Sequence, residues 1–330
     1  MKPLALPPNP VHRFYRGGAR IADFRGVPPA GDYAPEDWVG SLTAVHGSAD
    51  DGVSRLDSGE LLTELAARDP EGLLGPAGPG LLVKLLDAGE RLPVHFHPDG
   101  RFARDRLGAA CGKTEAWFVI STDQPDACVW LGLSRAVEAE TLGGWVERQD
   151  KEALLAALNR VPVQPGDALF VPAGLLHAIG EGVLICELQE PSDLSVLFEW
   201  QDFDLDGDPF LGLGLPGALS AARCDALTAG ALQRLRSDRG GGRSDVQRLF
   251  PNDADAFFRA ERIRLSVGSL PLPQELSVLV VLEGEGLLTT REGRIELRRG
   301  VTALIPWAAG DALLEGELDL LRCLPPEVPA

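Results

Sequence analysis

Apolar side chains fall at nearly every second position through the last third of the chain. Phe258-Arg-Ala-Glu-Arg-Ile-Arg-Leu265 alternates, and Leu276-Ser-Val-Leu-Val-Val-Leu282, Gly286-Leu-Leu-Thr-Thr290 and Ile295-Glu-Leu297 follow. Period two is the signature of strands with one buried face. Glu283-Gly-Glu-Gly286 reads as a turn between two of them. The earlier part carries further strand-like runs: Leu81-Leu-Val-Lys-Leu-Leu-Asp87, Glu115 to Ser121, Ala127 to Leu133, Val161 to Gly174 and Gly182 to Gln189. Helical spacing interrupts them at residues 58 to 75, where Ser58 is a candidate N-cap, at 141 to 160, and from Ala218 to Leu235. Residues 1 to 35 are rich in Pro and Gly and predict short strands and turns. Pro35 to Ser41 reads as a strand carrying Trp38 toward a cleft.

These elements predict a mainly β protein: two jelly-roll β-barrel units with helical insertions and a helical linker. The units are expected over residues 1–205 and 250–330, with the linker at 206–249 and a flexible break at Arg239-Gly-Gly-Gly-Arg243. An internal repeat supports the pairing of units. Gly166-Asp-Ala-Leu-Phe-Val-Pro172 matches Gly300-Val-Thr-Ala-Leu-Ile-Pro306, and at the same spacing Glu181-Gly182 meets Glu315-Gly316 and His177 meets Asp311. The second copy contains no histidine, so its role is expected to be structural.

A chain of 330 residues can bury two sizeable cores. Its net charge of −18 opposes binding to nucleic acid, whose phosphates need a basic footprint. No apolar run reaches the ~18–20 residues of a membrane span. The proline-rich start does not have the form of a signal peptide, so a cytoplasmic location is expected. The five cysteines are scattered without a C-x-x-C pair, which indicates neither a disulfide framework nor a cysteine metal site. Oligomeric state is left open by the sequence.

Candidate chemistry concentrates in residues 92 to 117. His95 and His97, two apart, share one face of a strand. Glu115 returns on the next strand, and His177 follows in Val171-Pro-Ala-Gly-Leu-Leu-His-Ala-Ile-Gly180. Three of the chain's five histidines lie in these two stretches. Together with Glu115 they make a divalent metal site of imidazole and carboxylate, suited to Zn²⁺ with Fe, Mn, Co or Ni as alternatives. Lys84 sits within an apolar strand and must either snorkel out or face a polar cavity. Lys113 precedes the Glu115 ligand. Glu187 alternates against the apolar residues of its strand and is expected to point into the same cavity. The basic run Arg101, Arg104 and Arg106 is a further source of positive charge for an anionic small molecule.

In order, these motifs resemble the cupin superfamily and, more narrowly, the short bacterial type I mannose-6-phosphate isomerases. The likeness rests on Leu81-Leu-Val-Lys-Leu-Leu-Asp-Ala88, His97-Pro-Asp99, Gly112-Lys-Thr-Glu-Ala-Trp117 and Leu188-Gln-Glu-Pro-Ser-Asp193. It implies zinc in a jelly-roll cavity and the interconversion of mannose 6-phosphate and fructose 6-phosphate through a cis-enediol. It also implies His97, Glu115 and His177 as ligands, Lys113 and Lys84 along the substrate cleft, and Glu187 as a cleft carboxylate. Three departures occur. His95 stands where the family has glutamine, which keeps a metal-binding side chain. Pro93 stands where it has serine, and Leu194-Ser-Val-Leu-Phe-Glu-Trp200 lacks the arginine the family carries after the serine–aspartate pair. The metal half of the pattern is whole, and the half expected to hold a phosphate is thinned. Two other functions share the ligand set: a metal-dependent cupin oxygenase and a non-catalytic sugar-binding cupin. For the isomerase, Lys113 and Glu187 are both candidates for the proton-transferring group, with Lys84 as a cation on the substrate.

Overall fold

The computed structural model describes residues 1–78, 80–237 and 245–327. Three antiparallel sheets form its frame. A six-stranded sheet runs in the order Pro10–Val11, Glu36–Val39, Leu82–Asp87, Val183–Gln189, Glu115–Thr122, Ala168–Val171. A five-stranded sheet runs Val196–Leu197, His95–Phe96, His177–Ile179, Cys128–Leu133, Leu158–Pro162. The two share a core that includes Trp117, Val119, Val129, Leu131, Ile179 and Ile185. The outer face of the five-stranded sheet, with Val94, Phe96, Ala178 and Val196, is covered by helices Ala139–Glu147, Lys151–Ala157 and Gly214–Ala221.

The outer face of the six-stranded sheet packs on a seven-stranded C-terminal sheet. Val83, Leu85, Ala116, Phe118 and Cys186 meet Ala260, Val278, Val280, Leu321 and Cys323 in one buried cluster. Alternate residues of the C-terminal strands, such as Ile263, Leu279, Val281 and Leu320, turn the other way into a core of their own. Period-two alternation therefore serves two apolar interiors at once. The chain is mainly β, with two β units and helical insertions, and no helix among the described residues is long and apolar enough to cross a membrane.

Several boundaries differ from expectation. Leu4–Leu6, expected in the first unit, pairs with Thr302–Ile305 of the C-terminal sheet, and Val246–Arg248 pairs with Arg259–Leu272. The helix expected over 58–75 starts after Leu61, whose N–H is capped by Glu64, and Pro70 divides it into Leu62–Arg68 and Pro70–Leu74. The segment 141–160 is likewise broken at Gln149, which has a positive φ of 50°. The 218–235 segment forms two helices, Gly214–Ala221 and Ala229–Leu235, and Arg20–Arg25 is helical within the supposed turns of 1–35. Glu283-Gly-Glu-Gly286 is no turn: strand Ser277–Thr290 runs through it with a bulge after Val281. A Cβ at Gly284 would lie 2.1 Å from the Glu317 carbonyl oxygen and one at Gly286 2.3 Å from that of Glu315, so both glycines are required by close strand approach. The Arg239–Arg243 break lies outside the described residues.

Candidate active site

The site sits between the two sheets of the first unit. His95 and His97 project inward while Val94 and Phe96 between and beside them face the helices, as the two-residue period dictates. His177 pairs directly across from His95, and Glu115 comes from the opposite sheet. The three histidines place ligand nitrogens within 4.8 Å of one another.

Each imidazole is oriented by the backbone. His95 Nδ1 lies 2.8 Å from the Pro93 carbonyl, His97 Nδ1 2.8 Å from Leu194 O, and His177 Nδ1 2.8 Å from Leu175 O. With Nδ1–H donating in each ring, Nε2 carries a lone pair. His97 Nε2 lies 3.0 Å and His177 Nε2 3.3 Å from the Glu115 carboxylate oxygens. These are acceptors facing acceptors, and His97 Nε2, His177 Nε2 and Glu115 Oε2 are buried without a hydrogen-bond partner. Such an arrangement is costly unless a cation lies among them. Three neutral imidazoles and a carboxylate fit a divalent metal. Trp117 Nε1–H donates at 3.0 Å to Glu115 Oε1, the oxygen His177 Nε2 also faces, and so fixes the carboxylate.

Electrostatics agree with this assignment. Burial and the Lys113 ammonium push His97 down to about 3. Burial, with the neighbouring imidazoles, takes His95 well below its ordinary value, and burial lowers His177. The rings are thus held unprotonated and free to ligate. Burial raises Glu187 well above the usual carboxylate range, reinforced by Glu115, while it lowers the Lys113 ammonium, reinforced by Lys84.

In front of the three histidines lies a small cleft. Lys84, His95, Lys113, Glu115 and Glu187 line it; His97 and His177 lie behind them, 2% and 1% exposed. All seven residues singled out in the sequence thus converge on one place. Lys84 does not snorkel out; it is 1% exposed, and its register partner Glu187 stands beside it across the strand pair. Lys113 Nζ is 3.8 Å from Glu115.

A second polar group was not legible in the sequence. Arg13, Tyr15 and Glu36 also line the cleft. Arg13 reaches Asp193 at 2.9 Å and Glu36 at 3.4 Å, and Lys84 Nζ lies 3.2 Å from Glu36. Tyr15 donates its hydroxyl to Glu36. Although burial acts to raise it, the Lys84 and Arg13 charges hold Glu36 down at about 2. The guanidinium of the cleft is therefore supplied by the N-terminal segment and not by the strand after Asp193. Trp38 is fully buried, donates to Glu36 at 2.5 Å and places its ring 4.5 Å from Lys84 Nζ. It braces the lysine and is not among the residues lining the cleft. Arg101, Arg104 and Arg106 ride on helix Gly100–Leu107, capped by Asp99, and are likewise absent from the cleft lining.

No family model matches the chain. Among curated proteins, it is 32% identical over 241 residues to the mannose-6-phosphate isomerase ManA of Bacillus subtilis, spanning 72% of each chain. The chain belongs to the mannose-6-phosphate isomerase family. Its fold is that of the mannose 6-phosphate isomerase solved from Bacillus subtilis, with a TM-score of 0.78 at 23% identity over 98% of this chain and 99% of that one. A mannose 6-phosphate isomerase solved with zinc and yttrium is similar at TM-score 0.75 and 18% identity. At those identities the solved structures speak for the fold, and the curated relative speaks for the family.

Proposed function

We propose that the protein is a metal-dependent aldose–ketose isomerase acting on mannose 6-phosphate and fructose 6-phosphate or a closely related sugar. In this reading zinc is held by His95, His97, Glu115 and His177. One observation carries it: three imidazoles pinned through Nδ1 cluster within 4.8 Å of one another, and two of them, His97 and His177, direct Nε2 toward the buried Glu115 carboxylate beside a cleft lined by Lys84, Lys113 and Glu187. The donor set favours zinc, as does the solved family member that carries it. Bound there, zinc would act as a Lewis acid on the sugar's carbonyl and hydroxyl oxygens.

The remaining work falls to the chain. Isomerisation of aldose to ketose moves a proton from C2 to C1 through a cis-enediol, and a hydroxyl proton passes in the same sense from O2 to O1. Lys113 and Glu187 both face the cleft beside Glu115 and are the two groups proposed to carry these protons. Lys84 stays cationic beside Glu36 and Glu187 and orients a sugar oxygen. The test is metal analysis of the purified protein, followed by assay of aldoses and ketoses with oxygen uptake recorded in parallel. Isomerisation without oxygen consumption is expected. A metal-loaded sample that consumes oxygen, or that turns over no sugar, rejects the proposal.

A further inference from the structure

We propose that the cleft is built for a sugar whose far end carries no charge, so that the preferred substrate is an unphosphorylated aldose or ketose. The inference rests on the isomerase reading above and concerns which member of the substrate class the site selects.

The reasoning starts with the cations. Among the described residues lining the cleft there are three: Arg13, Lys84 and Lys113. Arg13 and Lys84 are already engaged by carboxylates of the cleft wall, and Lys113 sits at the metal end beside Glu115, where it is proposed to serve the reacting atoms. Arg13 lies 2.9 Å from Asp193 and 3.4 Å from Glu36, Lys84 lies 3.2 Å from Glu36 and 4.0 Å from Asp193, and Lys113 lies 3.8 Å from Glu115. Glu36 and Asp193 are 3% and 8% exposed. Drawing Arg13 or Lys84 onto a phosphate would leave those carboxylates buried without their counter-charges, which is strongly unfavourable. The metal's charge belongs to the histidine end, where the reacting oxygens must lie.

The rest of the wall offers no substitute. Phe14, Leu92, Pro93, Ile179 and Leu197 present hydrocarbon to the cleft. Leu197 stands directly across from His95 in the strand pair, so this apolar surface begins beside the metal ligands. Pro93 has no N–H, and its carbonyl is taken by His95 Nδ1. Among the described residues lining the cleft, two give hydroxyls: Tyr15, which donates to Glu36, and Ser195, 3.4 Å from His97 Nδ1. Arg91, the nearest arginine in sequence, is clamped on Glu199 at 2.8 Å. A phosphate dianion needs several charge-assisted donors to replace its water. A free sugar, with apolar ring faces and hydroxyls that both donate and accept, finds partners in what is present.

The experiment compares D-mannose with mannose 6-phosphate on zinc-loaded full-length protein, by steady-state kinetics and by calorimetric titration. Expected are a kcat/KM and an affinity for D-mannose at least about tenfold above those for the phosphorylated sugar, and no competition by millimolar inorganic phosphate. Preference of about tenfold or more for mannose 6-phosphate in kinetics overturns the inference and leaves the isomerase reading standing. Absence of turnover with both sugars overturns the isomerase reading; calorimetry then judges the inference alone, and tighter binding of the phosphorylated sugar rejects it. Equal constants for the two sugars also reject it. A second arm uses Leu197→Arg, checked for folding and metal content. It should shift the ratio of the two kcat/KM values toward the phosphorylated sugar by about tenfold or more, and an unchanged ratio overturns the assignment of selectivity to this wall.

Discussion

In the first unit, strand Glu115–Thr122 lies between Ala168–Val171 and Val183–Gln189, and in the second, Ser277–Thr290 lies between Thr302–Ile305 and Ala312–Leu324. Glu115 opposes Val171 as Ser277 opposes Ile305. Following the pairings, Trp117 corresponds to Leu279, Glu187 to Arg322 and Lys84 to Glu261. The row of charges is thus reversed between the units. In the second it closes on itself: Arg322 lies 3.7 Å from Glu261 and 3.8 Å from Glu275, and donates to Ser277 Oγ at 3.4 Å and to Pro273 O at 3.1 Å. In the first, the equivalent region keeps buried nitrogen and oxygen atoms without partners. A polar interior whose needs are met internally is an element of architecture, and one whose needs are unmet is prepared for a ligand.

The largest effect that would test this contrast is loss of the metal. His97→Ala or His177→Ala should lower bound zinc to a small fraction of one per chain and reduce turnover by about a thousandfold or more. Ser277→Ala and Asp311→Ala, at the second unit's counterparts of Glu115 and His177, should leave metal content unchanged; elemental analysis decides. Next in size, Leu279→Ala in the second core should cost about 2–5 kcal/mol in denaturant unfolding while zinc stoichiometry is retained. If that variant loses metal with folding intact, the second unit is more than a support. Trp117→Phe removes the donor that steadies Glu115 and should weaken zinc affinity about 10–100-fold in a chelator competition. The smallest effect concerns acid. Glu36 is held at about 2, below its ordinary 4.5. A carboxylate depressed in the folded state adds stability that is whole above pH 4.5 and disappears as pH falls toward 2. Metal-free protein should lose unfolding free energy across that window, and Glu36→Gln should flatten the slope.

Much of the site was legible because it obeys local rules. The two-residue period set His95 and His97 on one face, and the apolar runs around Lys84 and Glu187 placed both on strands that proved to be direct neighbours. Arg13 was not legible, because its partner Asp193 lies 180 positions away and nothing in a short proline-flanked segment announces a buried ion pair. Trp38 was assigned to a strand correctly, but which face it served depended on Lys84 arriving beside it. The repeat was visible at a spacing of 134 over Gly166–Pro172. Strand pairing then matches Leu188 to Cys323, so an extra residue enters the second copy between the two stretches. The misjudged Glu283–Gly286 turn has a steric origin, since glycine there serves crowding between strands and not reversal of the chain.

Leu4–Leu6 completes the C-terminal sheet by pairing with Thr302–Ile305. During synthesis Leu4–Leu6 waits for this partner, made nearly 300 residues later, for about 15–60 s at ribosomal speeds of roughly 5–20 residues per second. Until then one edge of the second unit cannot be closed by its own chain. Removing Leu4–Leu6 would make that interval permanent and leave a free strand edge open to pairing between molecules.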